Sequence, residues 1–242
     1  MSSKPGYRAE SESTEASLDL PVRTDYNLAM RSNIKPVGQR SPTFIEEARR
    51  RQIVRTAIET IAARGFSRAS LAQIAREAGI SKGVISYHFA GKDDLIEEIL
   101  AWLVREPAEF IKDRVNRAET ALEKLGAYVT ANFEFMKRNR AAYLALVDLW
   151  GRRGAAIDHD RFNAEAYEPS RHYLAKILEA GCDSGELRPL PILATASLIQ
   201  ATIDGVMLQW VFNSEAVDLD VSRDQILEMI CGHVTAEEKR HD

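Results

Sequence analysis

Residues 70–92, SLAQIAREAGISKGVISYHFAGK, constrain this chain more than any other stretch. Ser70 followed three positions later by Gln73 reads as a capping box, so a helix is predicted to start there. Leu71, Ile74, Ala75 and Ala78 repeat at helical spacing and give it one apolar face. Gly79 supplies the residue that can take positive φ, and the helix ends. Ile80 then plugs inward, Ser81 caps a second short helix, and Val84, Ile85, His88 and Phe89 carry it to Gly91. Two short helices joined by a tight glycine turn make a helix-turn-helix. The second helix has an apolar side, Ile85 and Phe89, and another side with Lys82, Ser86, Tyr87 and His88. Such a helix fits a major groove: Gly83 removes a side chain where phosphate and base edges come closest, and Lys82 puts a cation at the same end. Lys92 opens the next helix and can bring an ammonium and a helix N-terminus to a phosphate.

The run IAREAGISKGVISYHFAGKDDL closely resembles the DNA-binding signature of TetR-type (TetR/AcrR) transcriptional regulators. The usual pattern has an aromatic where this chain has Ser86. The variant GVIS, followed by two ring residues and Phe89, resembles the choline-responsive, BetI-like branch. The resemblance implies an all-α protein, with an N-terminal three-helix bundle holding the helix-turn-helix and a C-terminal helical domain for effector binding and dimerisation. With the helix phasing, it marks Thr43, Ser70, Ser81, Lys82, Gly83, Val84, Ser86, Tyr87, His88 and Lys92 as the DNA-binding set. For His88 alone, packing beside Phe89 and a phosphate contact are both open. A helical pair with a glycine turn can also be a plain structural hairpin; Ser-Lys-Gly, ring-ring-Phe and Gly-Lys occurring together in phase favour DNA.

A net charge of −4 conceals a division that matters to a polyanionic partner. Residues 1–39 carry five basic and five acidic groups, residues 40–92 ten and four, and the remainder 17 and 27. The basic excess sits with the helix-turn-helix, where phosphates would be attracted, and the acidic part should face away. No uninterrupted apolar run approaches the roughly 20 residues of a membrane span, and no apolar signal segment opens the chain, so a cytoplasmic protein is expected. Cys182 and Cys231 stand far apart without CxxC spacing, and the five histidines lack HExxH or ExxH partners. No disulfide framework, metal site, cofactor or catalytic constellation is therefore expected, nor is there a Gly-rich phosphate loop.

Three segments are expected. Residues 1–40, polar with Pro5, Pro21 and Pro36, form a flexible extension whose Arg31, Lys35 and Arg40 suit either a basic arm or a solvated leader. Residues 41–92 form the head. Thr43 and Glu46 make a capping box for a helix ending at Gly65, with Val54, Ala57, Ile58, Ile61 and Ala62 inward. Arg49, Arg50, Arg51 and Arg55 on that helix are either solvated or touch the DNA backbone. Residues 93–242 form the effector and dimer domain. There Leu95, Ile96, Ile99, Leu100 and Leu103 line a fourth helix that Pro107 bends or ends. Further helices are expected at about 118–138, 140–150 and 160–180, with a glycine break at 151–154 before the last of them. In the turn that follows, Gly181 and Gly185 offer positive φ.

The helix at 191–212 is apolar on nearly every side, so it must be buried in its own domain and against something else. Ala194, Leu198, Ala201, Gly205, Leu208 and Phe212 form its seam. A homodimer is expected, pairing this helix and the one at 160–180 with their symmetry mates; a last helix follows at about 222–238. The resemblance further implies a small-molecule effector inside the second domain. Candidates for its wall are Trp102, Phe110, Tyr128, Phe133, Tyr143, Trp150 and Tyr167, with Phe162, Tyr173 and Trp210 adding aromatic surface. Asp148, with Glu134, could make a cation site among these rings, although rings at helical spacing also simply fill cores. The expected function is a homodimeric repressor on a palindromic double-stranded operator, released by a small molecule. The alternatives are a ligand-independent architectural or activating DNA binder and a helical enzyme.

Overall fold

A computed structural model describes residues 43–150 and 163–235. The expectations for the N-terminal extension, the glycine break at 151–154 and Phe162 lie outside the described residues. Those described fold into nine α-helices, with no strand among them.

Helix α1 (Phe44–Arg64) starts with both halves of its capping box made: Glu46 N–H donates to Thr43 Oγ1 and Thr43 N–H donates to Glu46 Oε2. It stops at Gly65, whose φ of 78° lies in the left-handed region that glycine favours. A single 3-10 turn, Phe66–Arg68, leads into α2 (Leu71–Glu77). Ser70 caps α2 through Gln73 N–H, but the Gln73 amide turns away to Glu77 Oε1 at 2.5 Å, so only half of the expected box forms. Gly79 takes φ 65° and Ser81 caps α3 (Lys82–His88).

Helix α4 (Lys92–Val115) passes through Pro107 without ending. Proline has no N–H for the Leu103 carbonyl, and the missing bond falls where α4 faces a cavity rather than the core. Helix α5 (Ala121–Arg138) opens on a second capping box, Thr120 with Glu123, and α6 (Arg140–Trp150) follows. A π turn, Asn163–Tyr167, precedes α7 (Glu168–Asp183). Of the two glycines near its end only Gly185 takes positive φ, 77°. Gly181 is helical, and what it supplies is space: a Cβ there would lie 2.5 Å from Leu187 Cδ1 and 2.7 Å from Ala121 Cβ. Helix α8 is Ile192–Phe212, and α9 (Leu219–Val234) begins earlier than expected because Asp218 caps it through two N–H groups.

Two apolar clusters hold these helices. The first joins Ile53, Ala57 and Ile61 of α1 to Ile74, Ile85, Phe89, Leu95 and Ile99. It continues past the head into Trp102 of α4, Phe135 of α5 and Ala142, Ala145 and Leu149 of α6. The second is built from Leu125, Val129, Phe133 and Met136 of α5, Leu174, Ile177 and Leu178 of α7, and Ile203 and Met207 of α8. Each large aliphatic or aromatic side chain buried this way contributes about 1.5–3 kcal/mol. Helices α4 and α6 enter both clusters, so displacement of either is felt in both.

Helix α8 is long and apolar enough to cross a bilayer by length and composition alone, but Gln200, Asp204 and Gln209 interrupt it, so it is no uninterrupted apolar run. One side of it packs inward through Thr195, Ala196, Ile199, Ile203, Met207, Trp210 and Val211.

Candidate nucleic-acid interface and effector cavity

The head displays α3. Ile85 is fully buried and Phe89 nearly so, which fixes the helix on α1 and α2 and turns its opposite side outward. Ser81, Lys82, Gly83, Ser86 and Tyr87 are exposed on that side, while Val84 and His88 are half-buried. Tyr87 is 73% exposed, unusual for a ring in a folded chain, and its hydroxyl donates to Glu46 Oε1 at 2.9 Å. That bond ties the start of α1, where Thr43 sits exposed, to the end of α3. It also lowers the Glu46 carboxyl below its ordinary pKa, after the Thr43 backbone N–H, which acts more strongly. Ser70 is exposed at the cap of α2.

Two of the basic residues serve the fold instead of the surface. Arg50 donates to the His88 carbonyl at 2.6 Å, pairs with Glu98 and lies 4.3 Å over the Phe89 ring, so it secures the end of α3. Burial, and then Arg50 itself, lower the His88 pKa below its ordinary value. Lys92 was expected to offer its ammonium to a phosphate. The structure turns it inward instead, where Nζ donates to the Phe66 carbonyl at 2.7 Å and lies 3.8 Å over the Phe66 ring. Arg51 and Arg55 remain exposed.

The second domain forms a partly open cavity of about 180 Å³ between α4, α5, α6, the π turn, α7 and α8. Tyr128, Tyr143, Trp150 and Tyr167 line it, as expected from the sequence. Trp102, Phe110 and Phe133 do not, and neither does Asp148. Trp102 packs in the head cluster, its ring 6.5 Å from Phe135. Phe110 is covered by the Arg114 guanidinium 3.3 Å from its centroid, and Phe133 is wholly inside the second cluster. Asp148 accepts from Phe66 N–H at 2.5 Å, and Glu134 pairs with Arg114 at 3.2 Å, so neither acid is turned to a ligand.

Two acids stand on the cavity wall, Glu165 of the π turn and Asp204 of α8, together with one basic residue, Arg105 of α4; Asp204 lies within the expected helix, where the sequence reading names no acid. A chain of hydrogen bonds reaches it: Tyr128 hydroxyl donates to Gln200 Oε1 at 2.6 Å, and Gln200 Nε2 donates to Asp204 Oδ1 at 2.9 Å. Burial raises the Asp204 carboxyl to about 6, only partly opposed by the Gln200 bond. Burial and then the Asp204 charge raise the phenols of Tyr128, Tyr143 and Tyr167, which stay protonated. Asn132, Ser170 and Glu165 add polar atoms to the wall. A half-buried carboxylate among electron-rich rings is chemistry that suits an organic cation. Among the described residues no group of three or more potential metal ligands gathers.

The other side of α8 carries the seam. Ala194, Leu198, Ala201, Leu208 and Phe212 are exposed and Gly205 half-buried; Leu198 is 65% and Phe212 74% exposed. Val221 and Met229 of α9 are likewise bare. Helix α7, which the expected interface pairs with α8, packs directly against it. Its Tyr173, Leu174, Ile177 and Leu178 are spent on its own core, leaving His172, Lys176 and Glu179 outside.

Two family models match the chain: one for bacterial regulatory proteins of the tetR family over residues 53–99, the other for the C-terminal region of BetI-type transcriptional repressors over residues 121–235. The fatty acid metabolism regulator protein of Bacillus subtilis (strain 168) is 26% identical over 180 residues, which span 74% of this chain and 92% of that one. The HTH-type transcriptional regulator BetI of Brucella anthropi is 37% identical over 103 residues, 41% of this chain and 53% of that relative. In fold the chain is similar to a transcriptional regulator from Saccharomonospora viridis solved in complex with choline. There the TM-score is 0.70 at 23% identity, over 79% of this chain and 100% of that one.

Proposed function

We infer how this protein acts from the premise that it belongs to the tetR family of bacterial regulatory proteins, which are DNA-binding transcriptional regulators and not enzymes. Members of the family bind operator DNA, respond to small molecules and function as dimers. We propose a homodimeric repressor that holds a palindromic operator and leaves it when a small organic cation fills the cavity. The observation that carries the cation is Asp204, an acid set among Tyr128, Tyr143, Trp150 and Tyr167. Choline, bound by the Saccharomonospora viridis regulator, has that chemistry. The Bacillus subtilis relative is a fatty acid metabolism regulator protein; an anionic ligand in this cavity would meet two carboxyls, Asp204 and Glu165, against the single basic residue of the lining, Arg105. Because it works on DNA, we assign the protein to the cytoplasm.

In this scheme residues 41–92 are the head and residues 93–242 the effector and dimer domain. Ser81, Lys82, Gly83, Ser86 and Tyr87 face the bases and nearby phosphates, with Val84 and His88 at the edge and Thr43 and Ser70 at the backbone. The α8 seam, extended by Val221 and Met229, is covered by a second copy. A ligand loosens the operator only if it prefers the arrangement in which the two heads no longer match their half-sites. The test begins with a duplex selected from a random pool, followed by fluorescence anisotropy during titration with choline. Dissociation at choline concentrations that fill the cavity by calorimetry is expected. Unchanged operator affinity with the cavity full would refute release by a cation and favour a ligand-independent DNA binder.

A further inference from the structure

Cavity and head share a joint. Phe66 lies in the turn that carries the chain from α1 into the helix-turn-helix. Its N–H donates to Asp148 at 2.5 Å and its carbonyl accepts from Lys92 at 2.7 Å. Asp148 belongs to α6 and Lys92 to α4, and both helices are cavity walls, through Tyr143 and Trp150 on α6 and Val104 and Ile111 on α4. The far side of α6 packs on the head through Ala142, Ala145 and Leu149. One residue at the entrance of the reading unit is thus gripped at its N–H by an anion from one wall and at its carbonyl by a cation from the other. Hydrogen bonds to charged groups are the stronger kind, and they weaken steeply with distance and misalignment. If the two walls shift relative to each other, the grip must either turn Phe66 with them or break.

We propose that Asp148 and Lys92 are positioning residues that, by holding Phe66 between them, turn a change in the spacing of α4 and α6 at the cavity into movement of the helix-turn-helix. The proposal deepens the effector reading above and rests on it for the ligand. Neither residue needs to touch effector or DNA. A merely structural role would lower stability and leave the coupling between sites intact. A coupling role removes the coupling, and it does so in both directions, because whatever an effector does to operator affinity the operator must do to the cavity.

The full chain and its selected duplex test this, with Asp148→Ala and Lys92→Met as disrupting variants and Asp148→Asn, which keeps an acceptor, as the conservative one. Two quantities are read: the change in operator Kd on saturation with choline, and the change in hydrogen exchange of residues 143–150 when operator is added. Wild type is expected to show a choline effect of roughly 5- to 150-fold. Asp148→Ala and Lys92→Met should lose most of it while binding choline in the absence of DNA as wild type does. Asp148→Asn should keep much of it. Operator-dependent protection of residues 143–150 should vanish in parallel. Coupling retained by folded Asp148→Ala and Lys92→Met overturns the proposal. If choline does not bind wild type, the effector reading fails separately, and the exchange experiment, which needs no effector, still decides: loss of operator-dependent protection in the disrupting variants supports the grip, and its persistence overturns it. Should Asp148→Ala fail to fold, Lys92→Met and Asp148→Asn give the same two readouts.

Discussion

Replacing Asp204 by asparagine should make the protein more stable and less able to bind its effector. Burial holds the Asp204 carboxyl at about 6 against an ordinary 3.8. An acid whose pKa is raised on folding binds its proton more tightly in the folded state. Stability is therefore full below the unfolded value and is lost as pH rises through the interval from 3.8 to about 6. A shift of about two units amounts to about 3 kcal/mol at neutral pH. Asparagine keeps the shape without the charge, so Asp204→Asn should stabilise the ligand-free protein by up to about 3 kcal/mol at pH 7.5, and by about half of that at pH 5. A cation in the cavity offsets the same penalty in wild type. Its loss should weaken choline by up to about 100-fold at pH 7.5. Protons compete with the cation, so wild-type affinity should fall about tenfold between pH 7 and pH 5. Urea unfolding at the two pH values and calorimetry with choline measure all of this. If Asp204→Asn binds choline as tightly as wild type, or wild-type affinity is flat from pH 7 to 5, Asp204 is not the cation's partner.

Gly181→Ala pushes a methyl into Leu187 and Ala121, where a Cβ would stand 2.5 and 2.7 Å from the nearest atoms of each. It should cost about 1–3 kcal/mol by denaturant unfolding, and a neutral result would mean that α7 and the Leu187 turn separate easily. Lys82→Ala should weaken every duplex alike and reduce the slope of log affinity against log salt by about 1; an unchanged slope would remove Lys82 from the phosphate contacts. Leu198→Asp places a charge on the bare seam of α8 and should give monomers in sedimentation velocity, whereas an intact dimer would move the interface elsewhere.

The head was legible because its signals are local. Thr43 with Glu46, Ser81 with Val84, and Gly79 at φ 65° lie within a few residues of what they satisfy. The burial of Ile74, Ile85 and Phe89 follows from helical phase alone. The cavity was read only in part, because which rings face it depends on how helices distant in sequence cross. Tyr143 and Trp150 sit on the inner side of α6, but Trp102 falls beyond the reach of the cavity on α4 and Phe110 is capped by Arg114. Asp148 reads from the sequence as an acid among rings, yet its partner Phe66 is 82 positions away and nothing in the intervening sequence names it. Asp204 did leave a trace: it is the one carboxylate in an otherwise apolar helix, a turn beyond Gln200, and a charge in such surroundings needs a partner. Pro107 misled for a related reason, since the carbonyl it leaves without a donor lies beside a cavity and the helix can run on.

The proposed function requires α3 to enter a major groove, once from each of two identical chains. Hydroxyl-radical footprinting of the selected duplex measures this most directly. Two protected patches on one face, related by the palindrome and centred roughly 34–36 Å apart, are expected, both fading together in Lys82→Ala. A single patch, or a footprint without two-fold symmetry, would contradict it.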